Sequence, residues 1–234
     1  EETFTRGQPE NGAELANDLQ RFCETYGGST ISAVFVEPIA GSTGTLVPPK
    51  GYLERLREIC DEHGILLVFD EVITGFGRTG KAFGSDSFGV VPDIMTIAKA
   101  LTNGAIPMGG VVVQDDIYKT VTEAAPENAI EFFHGYTYSG HPAACAAGIA
   151  VQKIYQEEQL FDKAAKLSEY FLDGLFDLQD IDNVRDIRGF GLMGGVEKMM
   201  GGGSALSGLF SDGQKDEMPD LDDLKKNAEN KTKQ

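Results

Sequence analysis

The 234-residue sequence contains little cysteine and little histidine, three residues of each. Cys23, Cys60 and Cys145 are odd in number and widely spaced, which excludes a disulfide framework and the usual zinc spacing. The histidines show no metal-ligand spacing either. We therefore expect no metal site and a reducing, cytoplasmic compartment. Cys60 and Cys145 lie in apolar, helix-like surroundings, which predicts buried and unreactive thiols.

Basic residues are also scarce. The chain has 20 Lys and Arg against 37 Asp and Glu, a net charge of −17. Nucleic-acid binding needs a basic surface, so the charge argues against a nucleic-acid partner. It leaves room for a phosphate-bearing cofactor, which one helix N-terminus and a few donors can hold. No run approaches the ~18 apolar residues of a membrane span, and no signal peptide is visible, so no membrane partner is expected.

Short apolar runs alternate with segments of helical periodicity. The predicted strands are 33–36, 65–69, 94–98 and 110–113, and the predicted helices are 13–25, 52–62, 142–156 and 160–178. Apolar strands that alternate with helices predict an α/β fold with a mostly parallel sheet, covered on both faces. The sequence begins without methionine, so we expect a fragment of a longer protein.

Ionisable residues stand at or just beyond three predicted strand ends, namely Glu37, Asp70 and Lys99. Sites in parallel sheets lie outside the carboxyl ends of the strands, so we expect these side chains to share a site. A lysine can form a Schiff base with the aldehyde of pyridoxal 5'-phosphate, and an aspartate can keep its pyridine nitrogen protonated. From spacing alone, Lys99 could instead only snorkel from a strand end, and Asp70 could be an ordinary acidic strand terminus.

Val72 follows Asp70 by two residues. The period-two alternation of a strand puts both side chains on one face, so Val72 is expected to pack on the cofactor ring while Glu71 points away. Glu37 is a candidate polar neighbour of the same cofactor.

The segment 75–80 matches the G-x-G-x-x-G pattern. A dinucleotide site would need a helix to begin at once, whereas 81–89 is rich in glycine and serine and predicts a loop. We therefore interpret 75–80 as a flexible loop near the cofactor.

Three segments, 66–80, 92–104 and 132–142, together resemble the class III pyridoxal-phosphate-dependent aminotransferases. The resemblance is closest to the β-alanine (ω-amino acid):pyruvate branch and extends over residues 13–197. It implies the fold-type-I large domain in 1–180 and the start of a small C-terminal domain in 181–197. Residues 198–234 carry no resemblance, and their composition predicts a disordered tail.

The resemblance implies pyridoxal 5'-phosphate as cofactor, bound by Lys99, Asp70, Val72, Tyr136, Thr137 and Glu37. Lys99 would hold the cofactor and then move the proton as general acid and base, while Asp70 would keep the ring an electron sink. Tyr136 and Thr137 lie in a loop that, in the family, reaches the cofactor phosphate of the neighbouring subunit, which implies a homodimer or a dimer-based oligomer for the full-length protein. The implied reaction moves an amino group from an ω-amino acid or amine to pyruvate or a similar oxo acid.

Segments that complete this site in the family have no counterpart in the sequence. These are an upstream phosphate-binding loop, an aromatic residue that stacks on the ring, and a downstream arginine that receives the substrate carboxylate. Two alternatives therefore stay open. One is an aminomutase on the same scaffold, and the other is a truncated protein without catalytic activity.

Overall fold

The structure is a computed structural model that describes residues 3–130, 132 and 134–198. Its strands are β1 (Thr5–Arg6), β2 (Ala33–Val36), β3 (Leu66–Asp70), β4 (Ile94–Ile97), β5 (Gly110–Val113), β6 (Val184–Phe190) and β7 (Met193–Lys198). Its α-helices are α1 (Asn17–Tyr26), α2 (Tyr52–His63), α3 (Gly84–Phe88), α4 (Asp115–Glu123), α5 (Pro142–Glu157) and α6 (Leu160–Phe176).

Four strands form the larger sheet, in the order β2-β3-β4-β5. β2, β3 and β4 are parallel, as predicted, while β5 runs antiparallel to β4. The mostly parallel α/β architecture is thus confirmed. The long connections that carry α2 and α3 return the chain to the same end of the sheet, so β3 and β4 run parallel to the strand before them. Residues 98–109 turn the chain back directly, so β5 runs antiparallel to β4.

Helix α2 packs the core of this unit. Leu53, Leu56, Ile59 and Cys60 recur at helical spacing and are all buried. They join the buried residues Leu67 and Phe69 of the central strand β3 in one apolar cluster. Burying such a leucine or isoleucine side chain stabilises a fold by about 2 kcal/mol. This packing fixes the position of the β3 end, where Asp70 lies.

A second, three-stranded sheet has the order β1-β6-β7. β1 pairs with β6 in parallel, and β6 and β7 form an antiparallel hairpin. The described residues, which include both sheets, belong to one compact unit. The predicted domain boundary at residue 180 stays a prediction, and Lys198, the first residue of the predicted tail, is the last residue of β7. The rest of that predicted tail lies outside the described residues.

The coverage of the sheet differs from the prediction. Leu67, Val68 and Phe69 of β3 are buried on both faces, as expected. At the sheet edges, however, Phe35 of β2 is 73% exposed and the valines 111–113 of β5 are exposed as well. An apolar run indicates that a strand tends to be buried. It does not indicate whether a helix layer or another chain is present to cover that strand.

Two local predictions need correction. The predicted helix 13–25 begins as a 3-10 turn, Ala13–Ala16, before α1 starts. The predicted loop 81–89 contains α3, a short helix whose first turn is stabilised by Asp86, since its carboxylate accepts the Phe83 N–H. Glycine and serine disfavour helix interiors, and here a side-chain cap offsets that preference.

None of the helices in the described part of the chain has both the length and the apolar character that a membrane crossing requires.

Candidate active site

The three ionisable residues predicted at strand ends lie at the same edge of the larger sheet. Glu37 directly follows β2, Asp70 is the last residue of β3, and Lys99 comes two residues after β4. These three strands are parallel, so their carboxyl ends meet at one edge. The sheet therefore brings an amine and two carboxylates to the position where ligands bind in this class of fold.

Lys99 begins a one-turn 3-10 helix, Lys99–Leu101. Its backbone is left-handed, with φ +47°, a conformation that side chains other than glycine rarely adopt. Such strain costs about 1 kcal/mol or more and persists only where the surroundings hold it. The side chain is exposed rather than buried in the sheet.

An open cavity of about 620 Å³ lies beside Lys99. Its lining residues come from several loops and from the β6–β7 hairpin: Gly41, Ser42, Thr45, Val72, Ile73, Arg78, Lys99, Ala100, Asn103, Gly104, Leu192, Met193 and Gly194. Lys99 and Arg78 are the charged residues in that lining. The cavity thus combines an amine and a guanidinium with apolar side chains, a combination suited to an anionic organic ligand.

Val72 lines this cavity, but the reason differs from the predicted one. β3 ends at Asp70, so Val72 lies in the turn that follows and not on the strand face. The Val72 N–H donates to Asp70 Oδ1 at 3.0 Å. This hydrogen bond, rather than strand alternation, sets the relative positions of the two residues.

Glu37 is half-buried, and its carboxylate has a local partner. Oε2 accepts the N–H of Gly41 at 2.9 Å. Gly41 lines the cavity, where a Cβ at its position would lie 2.7 Å from Ile73 Cδ1. Glu37 therefore shapes the cavity wall through Gly41. Its assignment as a direct neighbour of a cofactor stays a prediction.

Arg78 was missed by sequence reasoning. It belongs to the 75–80 segment, which is packed rather than free. The Arg78 carbonyl accepts the Leu192 N–H at 2.8 Å, and a Cβ on Gly191, which has φ +60°, would lie 2.6 Å from that carbonyl. The β6–β7 hairpin thus holds the segment and directs it to the cavity. In the sequence, a single arginine within a glycine-rich motif does not indicate this placement.

Glu71 has a structural role that the sequence did not reveal. Its side chain is 0% exposed. Oε2 accepts the Gly84 N–H at 2.7 Å and the Thr74 hydroxyl at 2.5 Å, while Oε1 accepts the Ser85 N–H at 2.7 Å. Glu71 therefore ties the start of α3 to the end of β3, next to Asp70.

Tyr136 and Thr137 lie apart from the Lys99 cavity. Both are exposed, and Tyr136 lines a different open cavity of about 900 Å³ together with Ile97, Met108 and His141. The Tyr136 ring contacts His134 edge-on, with ring centroids 5.2 Å apart. The structure does not bring this loop to the lysine of the same chain, and its predicted role across a dimer interface stays a prediction.

The cysteines are unpaired, and they differ in exposure. Cys23 and Cys60 are buried, whereas Cys145, which was predicted to be buried, is only partly so on α5. Burial raises the pKa of the Cys60 thiol to about 11. Among the described residues, no three His, Cys, Asp or Glu side chains gather as a metal site would require.

Comparison with known proteins places this geometry in a family. Residues 3–204 match the family described as aminotransferase class-III. An omega-aminotransferase of Caulobacter vibrioides is 55% identical over 195 residues, which are 83% of this chain and 44% of that protein. An omega-amino acid–pyruvate aminotransferase of Pseudomonas putida is 53% identical over 212 residues, 90% of this chain and 47% of that protein.

A solved structure supports the same conclusion. The (S)-enantioselective omega-transaminase of Thermomicrobium roseum superposes with a TM-score of 0.75 at 44% identity, covering 80% of this chain and 41% of that one. The chain thus spans less than half the length of these two curated relatives. The family match extends past the predicted limit of residue 197. This chain belongs to the class III aminotransferase family.

Proposed function

We propose that the family-length protein to which this chain corresponds is a pyridoxal-phosphate-dependent aminotransferase. It would move an amino group from an ω-amino acid or amine to pyruvate or a similar oxo acid. The observation that carries the proposal is the cavity that Lys99 shares with Val72 and Arg78, beside the strand that ends in Asp70. The names of the relatives, an omega-aminotransferase and an omega-amino acid–pyruvate aminotransferase, support this choice of substrates.

The residues present fit pyridoxal phosphate. The cavity volume of about 620 Å³ is in the range typical of cofactor sites. Asp70 uses Oδ1 for the Val72 N–H, and within the described residues Oδ2 has no hydrogen-bond donor. Thr96, which pairs with Asp70 across β3 and β4, has a buried Oγ1 that also lacks a partner there. Asp70 Oδ2 suits the protonated nitrogen of a heteroaromatic ring, although Asp70 and Thr96 lie beside the cavity and are not among the residues that line it.

Each side chain then has a distinct task. Pyridoxal phosphate, when bound, supplies an aldehyde that captures amines and a ring that withdraws electrons. Lys99 Nζ would bind that aldehyde, and, once displaced by the donor amine, would take the proton from the amine-bearing carbon. Asp70 would hold a proton on the ring nitrogen through Oδ2, and Val72 would pack on the ring. Arg78 offers a guanidinium to the carboxylate of an oxo acid.

The proposal extends to assembly and location. Tyr136 and Thr137 would contact the cofactor phosphate of a second subunit in a homodimer, and their separation from the Lys99 cavity of their own chain supports that role. The cytoplasmic location inferred from the three scattered cysteines stays a prediction. The exposure of Lys99 favours the alternative that this chain alone lacks catalytic activity, because the wall that would enclose the amine is incomplete.

The test uses a protein restored to family length from its native reading frame. We expect it to convert pyruvate to alanine with β-alanine as amino donor. The amino group should pass from one molecule to another and should not migrate within a single molecule. Lys99→Ala should abolish transfer. Asp70→Asn should keep cofactor binding but slow proton removal at least a hundredfold, about 3 kcal/mol, because a neutral amide cannot hold the ring nitrogen protonated. Intramolecular amino migration would favour the aminomutase instead, and full activity in Asp70→Asn would refute the role of Asp70.

A further inference from the structure

The left-handed turn that carries Lys99 is held from outside by helix α5. Within the turn, the Lys99 carbonyl accepts the N–H groups of Thr102 and Gly104, both at a long 3.3 Å. The Ala100 carbonyl accepts a much shorter bond, 2.7 Å, from the hydroxyl of Tyr155 on α5. Other local bonds of the turn are of ordinary length, such as Leu101 N–H to the Ala98 carbonyl at 3.0 Å and Asn103 N–H to the Ala100 carbonyl at 3.2 Å. The Tyr155 bond differs from them because it ties the turn to a residue 55 positions away in sequence.

The Tyr155 ring is itself fixed by two aromatic neighbours. Its centroid lies 6.0 Å from that of Phe76 in a stacked arrangement and 5.3 Å from that of Phe161. Phe76 belongs to the segment that carries Arg78, and Phe161 belongs to α6. The hydroxyl therefore projects from a ring with little freedom to rotate, so the hydrogen bond forms at low entropic cost.

The hydroxyl is also kept in its donating form. Burial raises the pKa of Tyr155, and the nearby Arg78 guanidinium opposes this shift only in part. The phenol therefore stays protonated across neutral pH and above, where a phenolate could not donate to a carbonyl. On the same face of α5, Gln152 Nε2 approaches the Leu101 carbonyl at 3.5 Å.

We propose that Tyr155 is a positioning residue for Lys99: its hydroxyl holds the Ala100 carbonyl, and thereby keeps the strained Lys99 backbone in the conformation that directs the amine to the cavity. The proposal rests on the proposed function only in taking Lys99 as the reactive amine. No catalytic contact is assigned to Tyr155, which acts through the backbone of its neighbour.

The substitution Tyr155→Phe removes the hydroxyl and keeps the ring that stacks on Phe76 and Phe161. The matched control is Tyr170→Phe, the same change at an exposed position of α6. The first readout needs no cofactor. We expect amide hydrogen exchange in residues 99–104 to become about tenfold faster in Tyr155→Phe, with exchange in α2 unchanged and Tyr170→Phe like the unmodified chain.

The second readout is covalent labelling. Each chain is incubated with pyridoxal phosphate, reduced with borohydride and mapped by mass spectrometry, with the exposed Lys119 as internal reference. We expect the ratio of label on Lys99 to label on Lys119 to fall about tenfold in Tyr155→Phe. Gln152→Ala, which loses only the longer contact, should shift both readouts in the same direction but less.

The two proposals fail separately. Faster exchange in residues 99–104 with an unchanged label ratio would make Tyr155 merely structural and overturn the positioning role. Unchanged exchange would overturn it as well. A label that in the family-length protein lies on other lysines and never on Lys99 would overturn the proposed function, and the exchange experiment would still report whether Tyr155 holds the turn.

Discussion

At the scale of single residues, the site depends on groups whose chemistry is set by what surrounds them. Lys99 occupies a strained turn, and Arg78 is brought to the cavity by a distant hairpin. Asp70 has one carboxylate oxygen that accepts no hydrogen bond from the part of the chain that the structure describes. Cys60 on α2, by contrast, belongs to the apolar core and not to the site. It is fully buried and takes part in packing alone.

The Cys60 thiol gives a pH dependence with a definite sign. Burial raises the pKa of this thiol from 9.0 to about 11. The charge of Arg57 lowers the pKa, and the charge of Asp93 raises it, so these two effects partly cancel. Between these values the unfolded chain loses the thiol proton while the folded chain keeps it, so stability falls as pH rises from about 9 to about 11. We expect a loss of up to about 2 kcal/mol in this window.

Urea unfolding at pH 7.5, 9.5 and 10.5 checks this expectation. Tyrosines and lysines titrate in the same range, so the informative quantity is the difference between the unmodified chain and Cys60→Ala. The variant should lose less stability than the unmodified chain between pH 7.5 and pH 10.5. Parallel pH profiles for the two proteins would contradict the assignment.

At the scale of elements, the connection from β3 to α3 depends on Glu71. We expect Glu71→Ala to lower the free energy of unfolding by about 3 kcal/mol or more, because the Gly84 and Ser85 N–H groups and the Thr74 hydroxyl lose their acceptor in a buried place. Glu123→Ala, at the exposed end of α4, is the matched control and should change stability by less than about 0.5 kcal/mol. Equal losses in urea denaturation would show that Glu71 does not hold this connection.

The elements also show what sequence patterns can and cannot predict. The order of strands and helices and the strand-end positions of Glu37, Asp70 and Lys99 followed from apolar periodicity, because burial drives both. The direction of β5 did not, since an apolar run looks the same in a parallel and an antiparallel strand. The placement of Val72 after the strand, and that of Arg78 in the cavity, depend on turns and on a hairpin more than 100 residues later.

At the scale of the whole molecule, the larger sheet exposes apolar side chains at its edges. Phe35 on β2 and the valines 111–113 on β5 lie at opposite edges of that sheet. Exposed apolar side chains on sheet edges mark an interface or an aggregation hazard. We expect the chain alone to bind a hydrophobic dye, to bind pyridoxal phosphate weakly and to dimerise poorly.

A family-length protein should reverse all three properties. Its dimerisation should strengthen with pyridoxal phosphate, because a ligand that binds only the assembled form shifts the equilibrium toward that form. Sedimentation with and without the cofactor measures this link, and Thr137→Ala should weaken it. A strictly monomeric family-length protein that binds the cofactor tightly would show that the Tyr136–Thr137 loop does not act across an interface.

The central claim is that Lys99 is the amine that holds pyridoxal phosphate, and one labelling experiment tests it most directly. The chain is mixed with pyridoxal phosphate, the yellow absorbance is recorded, and borohydride fixes the bound cofactor before peptide mapping. We expect the label mainly on the peptide containing Lys99, and we expect Lys99→Ala to remove both the label and the absorbance. A label mainly on Lys81 or Lys119, unchanged in Lys99→Ala, would contradict it.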